Sequence, residues 1–104
     1  MTLLMNTTKK GSIRCIIFKE NDTWYGVALE FNIVESADDA DVVRFNLDEA
    51  IRGYIESQRK LKGTRVSPLN QKPLKEYADL WRDLVTGKPI PSPYKVRYFG
   101  FTKV

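Results

Sequence analysis

The sequence has no histidine and a single cysteine, Cys15, among its 104 residues. Without histidine it lacks the commonest general base, the usual activator of a nucleophile and the commonest ligand of transition metals. A lone cysteine cannot form an intrachain disulfide, and its isoleucine neighbours predict a buried thiol. Phosphate-binding loops, dinucleotide-binding motifs and nucleophile elbows are also missing from the sequence. We therefore expect no catalytic residue, no metal site and no cofactor, and interpret the chain as a non-enzyme.

Long apolar runs are absent as well. No stretch approaches the roughly 20 residues that cross a bilayer. The opening "MTLLMNTTKKGS" has too short an apolar core, and the wrong order of charges, for a signal peptide. These absences predict a cytoplasmic protein that does not enter the membrane.

The composition is that of one folded domain, with 42% hydrophobic residues. Its charge is uneven. Residues 64–104 hold 8 Lys/Arg and 3 Asp/Glu, whereas residues 1–63 hold 9 and 10. A basic second half suits an anionic partner, although lysines kept for solubility would give the same pattern.

The first half of the chain predicts three strands after a flexible leader at residues 1–11. The run "SIRCIIFK" is strand-like, and "ENDT" is typical of a turn. The period of two in "WYGVALEF" predicts a second strand, with Trp24 on the face opposite Tyr25, Val27, Leu29 and Phe31. A tight reversal or bulge then leads into a short third strand, "NIVE".

Two helices follow in the predicted order. Ser36 is the expected N-cap of a long amphipathic helix that ends at Gly63. The side chains expected on its apolar stripe are Val43, Leu47, Ile51, Tyr54 and Ile55. Pro73 is expected to open a second helix, which Gly87 ends. This helix is expected either to extend the layer of the first or to reach a neighbouring subunit. The side chains expected on one side of it are Leu74, Tyr77, Ala78, Trp81, Leu84 and Val85.

The last segment, "GKPIPSPYKVRYFGFTKV", could be a free basic arm or a returning strand. Disordered tails lack aromatic and β-branched residues, and this one is rich in both. Its prolines form a stiff connector, as in a crossover that returns to its sheet. We therefore expect a last strand that lies parallel to the first, with Gly100 as a bulge or bend.

This order of elements, together with the "G-x-P-I-P-x-P" turn, resembles the HicB-like antitoxin domain family. The matching residues lie in the second and third strands, the long helix and the turn: Trp24, Tyr25, Leu29, Glu30, Ile33, Val34, Ser36, Asp39, Ala40, Leu47, Glu49, Ala50, Ile51, Tyr54, Gly87, Ile90, Pro91 and Pro93. Residues 64–86 are an insertion relative to the family, and the DNA-binding module that often follows such a domain is not matched in this sequence.

The resemblance implies an α+β fold of the partial RNase H type for residues 12–104. The elements run β-β-β-α-(α)-β, the sheet order is 3-2-1-4, and the long helix packs on one face. It also implies an antitoxin that holds a HicA-like mRNA-interferase toxin, which is a short basic protein with a histidine, in an inactive complex. The alternative is a stand-alone HicB-like domain without a toxin, which binds nucleic acid or only itself.

Exposed rings and basic residues supply the candidate sites. The candidate interface residues, for a toxin or for a homodimer, are Trp24, Tyr77, Trp81, Phe99 and Phe101. On the last strand, Lys95, Arg97 and Lys103 are interleaved with those phenylalanines at every second residue, as on a sheet that stacks bases and neutralises phosphates. The plainer interpretation is core aromatics and a strand with one polar face.

Overall fold

A computed structural model describes residues 5–61 and 67–104, and it has the predicted α+β class. The strands are β1 (Ser12–Glu20), β2 (Thr23–Ala28), β3 (Ile33–Ala37) and β4 (Lys95–Lys103), and the helices are α1 (Ala40–Lys60) and α2 (Lys75–Thr86). Single 3-10 turns lie at Leu29–Phe31 and Ser67–Leu69. The predicted end of the long helix, Gly63, and the first residues of the insertion, 64–66, lie outside the described residues.

The four strands form one sheet in the predicted order β3-β2-β1-β4, so the final segment does fold back beside β1. Its direction was predicted wrongly, because β4 is antiparallel to β1, with Lys95 opposite Lys19. The reason is the path of the proline segment. Tyr94, at its end, lies beside Glu76 in the first turn of α2, so the segment runs back along that helix. The chain then enters β4 at the end where β1 finishes.

The domain has three layers, with β1 buried on both faces. The predicted stripe of α1 packs on one face through Val43, Leu47, Ile51 and Ile55, with Tyr54 half-buried beside them. The second helix covers the opposite face, where Leu80 and Trp81 meet Ile16 and Phe18 of β1. It therefore neither extends the α1 layer nor keeps its aromatic side for a neighbouring subunit.

Two local differences from the prediction have simple causes. Phe31 packs on the α1 side, apart from Leu29, because a 3-10 turn interrupts the strand alternation there. Ser36 belongs to β3, so Asp39 caps α1 instead; its Oδ1 accepts from the amides of Asp41 (2.8 Å) and Val42 (3.1 Å).

The phase of α2 also differs from the predicted one. Leu80 is buried and was not predicted, whereas Leu74 and Val85 are exposed. Tyr77, Leu80, Trp81 and Leu84 form the inward stripe at spacings of three and four residues.

The segment before β1 is not the loose leader that the sequence predicts, at least for residues 5–11. Asn6 is only 4% exposed. Its Nδ2 donates to the Leu69 carbonyl at 3.1 Å, and its Oδ1 accepts from the Ser12 amide at 2.7 Å. The segment is thereby fixed between the start of β1 and the loop after α1.

Candidate functional site

Three aromatic side chains meet on the α2 side of β4. Trp81 is 8% exposed and contacts Phe99 and Phe101 edge to face, with ring centroids 5.8 Å and 5.4 Å apart. The two phenylalanines are 41% and 58% exposed. The guanidinium of Arg14 lies 5.9 Å from the Trp81 ring centroid. We call this group, Arg14, Trp81, Phe99 and Phe101, the aromatic edge.

Strand register explains how these residues come together. Phe101 lies opposite Arg14, and Phe99 lies opposite Ile16, whose side chain belongs to the α2-side core. Residues two apart in a strand share a face, so both rings point to the α2 side. Gly100 between them is in register and is not the predicted bulge; the register shift falls at Arg97, between the pairs at Ile17 and Phe18.

The outer edge of β4 has unpaired backbone groups, because β4 is the last strand of the sheet. The amide of Val104 donates to the Gly11 carbonyl at 3.1 Å. In an antiparallel pair, hydrogen-bonded residues alternate with residues whose amides point away. The amides and carbonyls of Phe99, Phe101 and Lys103 therefore point outward.

The charge of this edge is of one sign. Lys95, Arg97 and Lys103 are exposed, and the sequence of β4 contains no Asp or Glu. The structure thus brings the three predicted phosphate-binding residues onto the strand that carries the exposed rings. A strand with this composition resists pairing with a copy of itself.

A groove of about 940 Å³ lies between β4 and the N-terminal segment. Its basic residues are Lys9, Lys10, Arg14 and Lys103, and the ring of Phe101 lines it as well. Glu30 is the only acidic side chain among the described residues of its lining, and it is 2.6 Å from Arg14 Nε. Sequence reasoning missed this wall, because the segment carrying Lys9 and Lys10 was expected to be loose.

Two predicted interface residues lie away from the aromatic edge. Tyr77 is half-buried against Phe18, with ring centroids 6.2 Å apart, and burial raises the pKa of its hydroxyl. Trp24 is half-buried on the α1 side, where Lys19 Nζ lies 5.8 Å from its ring centroid. Of the five predicted aromatic residues, only Trp81, Phe99 and Phe101 come together.

An acidic surface lies on α1 and on the segment that leads into it. Residues 33–49 contain six acidic residues and one basic residue, Arg44. On the outer side of the first turns of α1, Val42 and Phe45 are 50% and 60% exposed. They are one helical turn apart, and the exposed carboxylates around them are Asp38, Asp41 and Glu49. We call these five residues the acidic helix face.

The sequence carries a signal for this face that the prediction did not use. Val42 and Phe45 are apolar but lie about half a turn away from the buried stripe of Val43, Leu47 and Ile51. Because α1 and α2 pack on opposite faces of the sheet, the acidic helix face and the rings of the aromatic edge lie on opposite sides of the domain.

Cys15 lies in the core, as predicted, with 3% exposure. Burial raises the pKa of its thiol to about 11, although a hydrogen bond with Thr102 (Sγ to Oγ1, 3.4 Å) opposes the shift. A neutral, buried thiol is a poor nucleophile.

Within residues 5–61 and 67–104, no three His, Cys, Asp or Glu side chains are grouped so that they could hold a metal ion. No helix in that part of the chain is both long enough and apolar enough to cross a membrane. Compared with protein-family models, with curated proteins and with solved structures, the chain matches none of them.

Proposed function

We propose that this domain is a non-catalytic protein-binding domain of the HicB-like antitoxin type, which holds a basic, HicA-like mRNA-interferase toxin in an inactive complex. The observation that carries the proposal is the acidic helix face, with the exposed side chains of Val42 and Phe45 among carboxylates. Apolar anchors ringed by charge are typical of surfaces that bind a protein partner.

Two features of the fold support the antitoxin type. Three antiparallel strands precede the long helix, and the last strand adds beside β1 in the order 3-2-1-4. The antiparallel direction of β4 departs from the expected crossover. It follows from α2, which belongs to the insertion, and from the returning proline segment, and it leaves β1, β2, β3 and α1 in the expected arrangement.

Charge indicates which surface a basic toxin would use. Electrostatic complementarity steers association and excludes surfaces of like sign. A basic partner is attracted by the carboxylates of Asp38 and Asp41, beside Glu49 that is paired with Arg52, and is repelled by β4 with its three cations. The acidic helix face is therefore assigned to the toxin in place of the sequence-predicted rings on β4.

The test is neutralisation in cells. The adjacent reading frame, if short, basic and histidine-containing, is expressed alone and together with this protein, and growth is measured. We expect wild-type protein and a Phe101→Lys control to restore growth, and Phe45→Lys, which adds a cation to the acidic helix face, to fail. Both positions are exposed, so both variants should fold. Equal rescue by the two variants would contradict the proposed surface, and a harmless neighbour would contradict the antitoxin function.

One observation favours the alternative, a stand-alone HicB-like domain that binds nucleic acid. The aromatic edge pairs exposed rings with cations on a strand free of carboxylates. This surface shares no residue with the acidic helix face, so a nucleic-acid function can be tested independently of the antitoxin function.

A further inference from the structure

We propose that the aromatic edge and the adjoining groove form a binding site for single-stranded nucleic acid, with bases on Phe99 and Phe101 and phosphates along the groove. The first support is the exposure of the rings. Together Phe99 and Phe101 present two adjacent, partly exposed aromatic surfaces on one side of an edge strand. Trp81 contacts both from beneath, so the rings are held in place before a ligand arrives.

The spacing of the rings selects an unpaired strand. Residues two apart in a β-strand are separated by about 6.7 Å. Successive nucleotides in one strand of a stacked duplex are only about 3.4 Å apart. Two bases can therefore reach Phe99 and Phe101 only after they unstack, which a single strand does readily and a duplex does not.

The positions of the cations supply a path for the backbone. Lys103 adjoins Phe101 on β4, and Lys9 and Lys10 line the other wall of the groove. Asn6 fixes that wall by its bonds to Leu69 and Ser12. The one acidic side chain in the described lining, Glu30, is already bound by Arg14, which leaves the lysines to meet phosphate oxygens.

Charge argues against two other occupants. A second copy of β4 would place Lys95, Arg97 and Lys103 against the same three cations. A basic toxin would meet the same repulsion. An acidic extended peptide could pair with the outward amides, but it would leave the rings and the groove lysines largely unused, and its binding is an outcome of the test.

The test is fluorescence anisotropy with labelled oligothymidine, oligouridine and a duplex of equal length, at low ionic strength and at about 0.15 M salt. We expect saturable binding of a single strand that persists at the higher salt, with a clearly weaker duplex. Replacing Phe99 and Phe101 by leucine should weaken single-strand binding by roughly 5- to 100-fold per ring and leave duplex binding nearly unchanged. If the double variant has a lower melting temperature than wild type, Phe101→Leu alone is tested, because Phe101 is the more exposed of the two.

Lysine substitutions inside and outside the groove complete the design. Changing Lys9 and Lys10 to glutamine should lower affinity and reduce the salt dependence, whereas Lys88→Gln, an exposed lysine that is not in the lining of the groove, should change neither by as much. Equal affinity for duplex and single strand, or no effect of the leucine variants, would overturn the proposal in favour of nonspecific attraction. Binding of a labelled acidic peptide, with no binding of any of the oligonucleotides, would overturn it in favour of strand addition. Either result would leave toxin binding untouched, because Val42 and Phe45 are on α1, on the face of the sheet opposite the rings.

Discussion

The hydroxyl of Tyr94 lies 3.4 Å from a carboxylate oxygen of Glu76, and this contact joins the start of the last strand to the first turn of α2. The contact shows that the chain runs along α2 and then returns to the start of that helix through the proline segment. The return sets the direction of β4, and that direction places Phe101 opposite Arg14 on the side of Trp81. The aromatic edge therefore depends on α2 and the proline segment as much as on β4 itself.

Removing residues 88–104 should unfold the domain. The truncation takes away β4 and leaves the buried strand β1 with an unpaired edge and uncovered side chains. Circular dichroism melts of the full-length and truncated chains measure the effect, with removal of only Lys103 and Val104 as the control. A truncated protein with an unchanged midpoint would mean that β4 contributes nothing to the fold.

Two glycines offer an opposed pair of alanine substitutions. A Cβ at Gly26 would lie 3.2 Å from both Ile17 Cδ1 and Leu47 Cδ2, so Gly26→Ala should cost about 1–3 kcal/mol. A Cβ at Gly53, on the exposed side of α1, meets nothing within 4 Å, so Gly53→Ala should add about 0.5–1 kcal/mol. Denaturant unfolding compares the two, and effects of the same sign would contradict the packing of α1 on β2.

Much of this fold could be predicted from the sequence because its signals are local. Alternation in β2 and the stripe of α1 indicate which side chains point inward, and the aromatic density after Pro93 indicates a returning strand. The direction of β4 could not be predicted, because it depends on where α2 packs. The face on which Phe31 packs could not be predicted either, because a single 3-10 turn reverses the strand alternation and leaves no mark in the composition.

The candidate site was predictable only in part. Phe99 and Phe101 stand out in the sequence as rings between cations, but only the fold brings Trp81 beneath them and the N-terminal segment beside them. Val42 and Phe45 were overlooked because a helix is usually read for its buried stripe. Two apolar residues on the side of the helix opposite that stripe indicate an exposed apolar surface.

Cys15 should resist alkylation in the folded protein. Its pKa of about 11, against an ordinary 9.0, keeps the thiol neutral near neutral pH. The unfolded chain loses this proton first, so the group should leave stability unchanged below about pH 9 and lower it as the pH rises from about 9 to 11. Iodoacetamide labelling with and without denaturant measures the protection. Rapid labelling of folded protein at pH 8 would show that the thiol is accessible or its pKa is not raised.

We expect the protein to form a homodimer through the edge of β3. Tyr77 and Trp81 pack within the protomer, and the cations of β4 repel one another, whereas β3 exposes Val34 with Glu35 as its one charged residue. Light scattering on a sizing column should give about twice the chain mass of 12.0 kDa. Val34→Lys should reduce this to the monomer mass and Phe101→Lys should not. A wild-type monomer at micromolar concentration would contradict the expectation.

The central claim, that the acidic helix face binds a basic partner, is tested most directly by titration calorimetry with the purified product of the adjacent basic reading frame. We expect tight binding that Val42→Ser and Phe45→Ser together weaken at least about tenfold, because buried apolar anchors dominate protein interfaces. The Phe99→Leu and Phe101→Leu double variant should bind the partner as tightly as wild type. Unchanged affinity of the α1 variants, together with lost affinity of the β4 variant, would contradict the assignment of the partner to the acidic helix face.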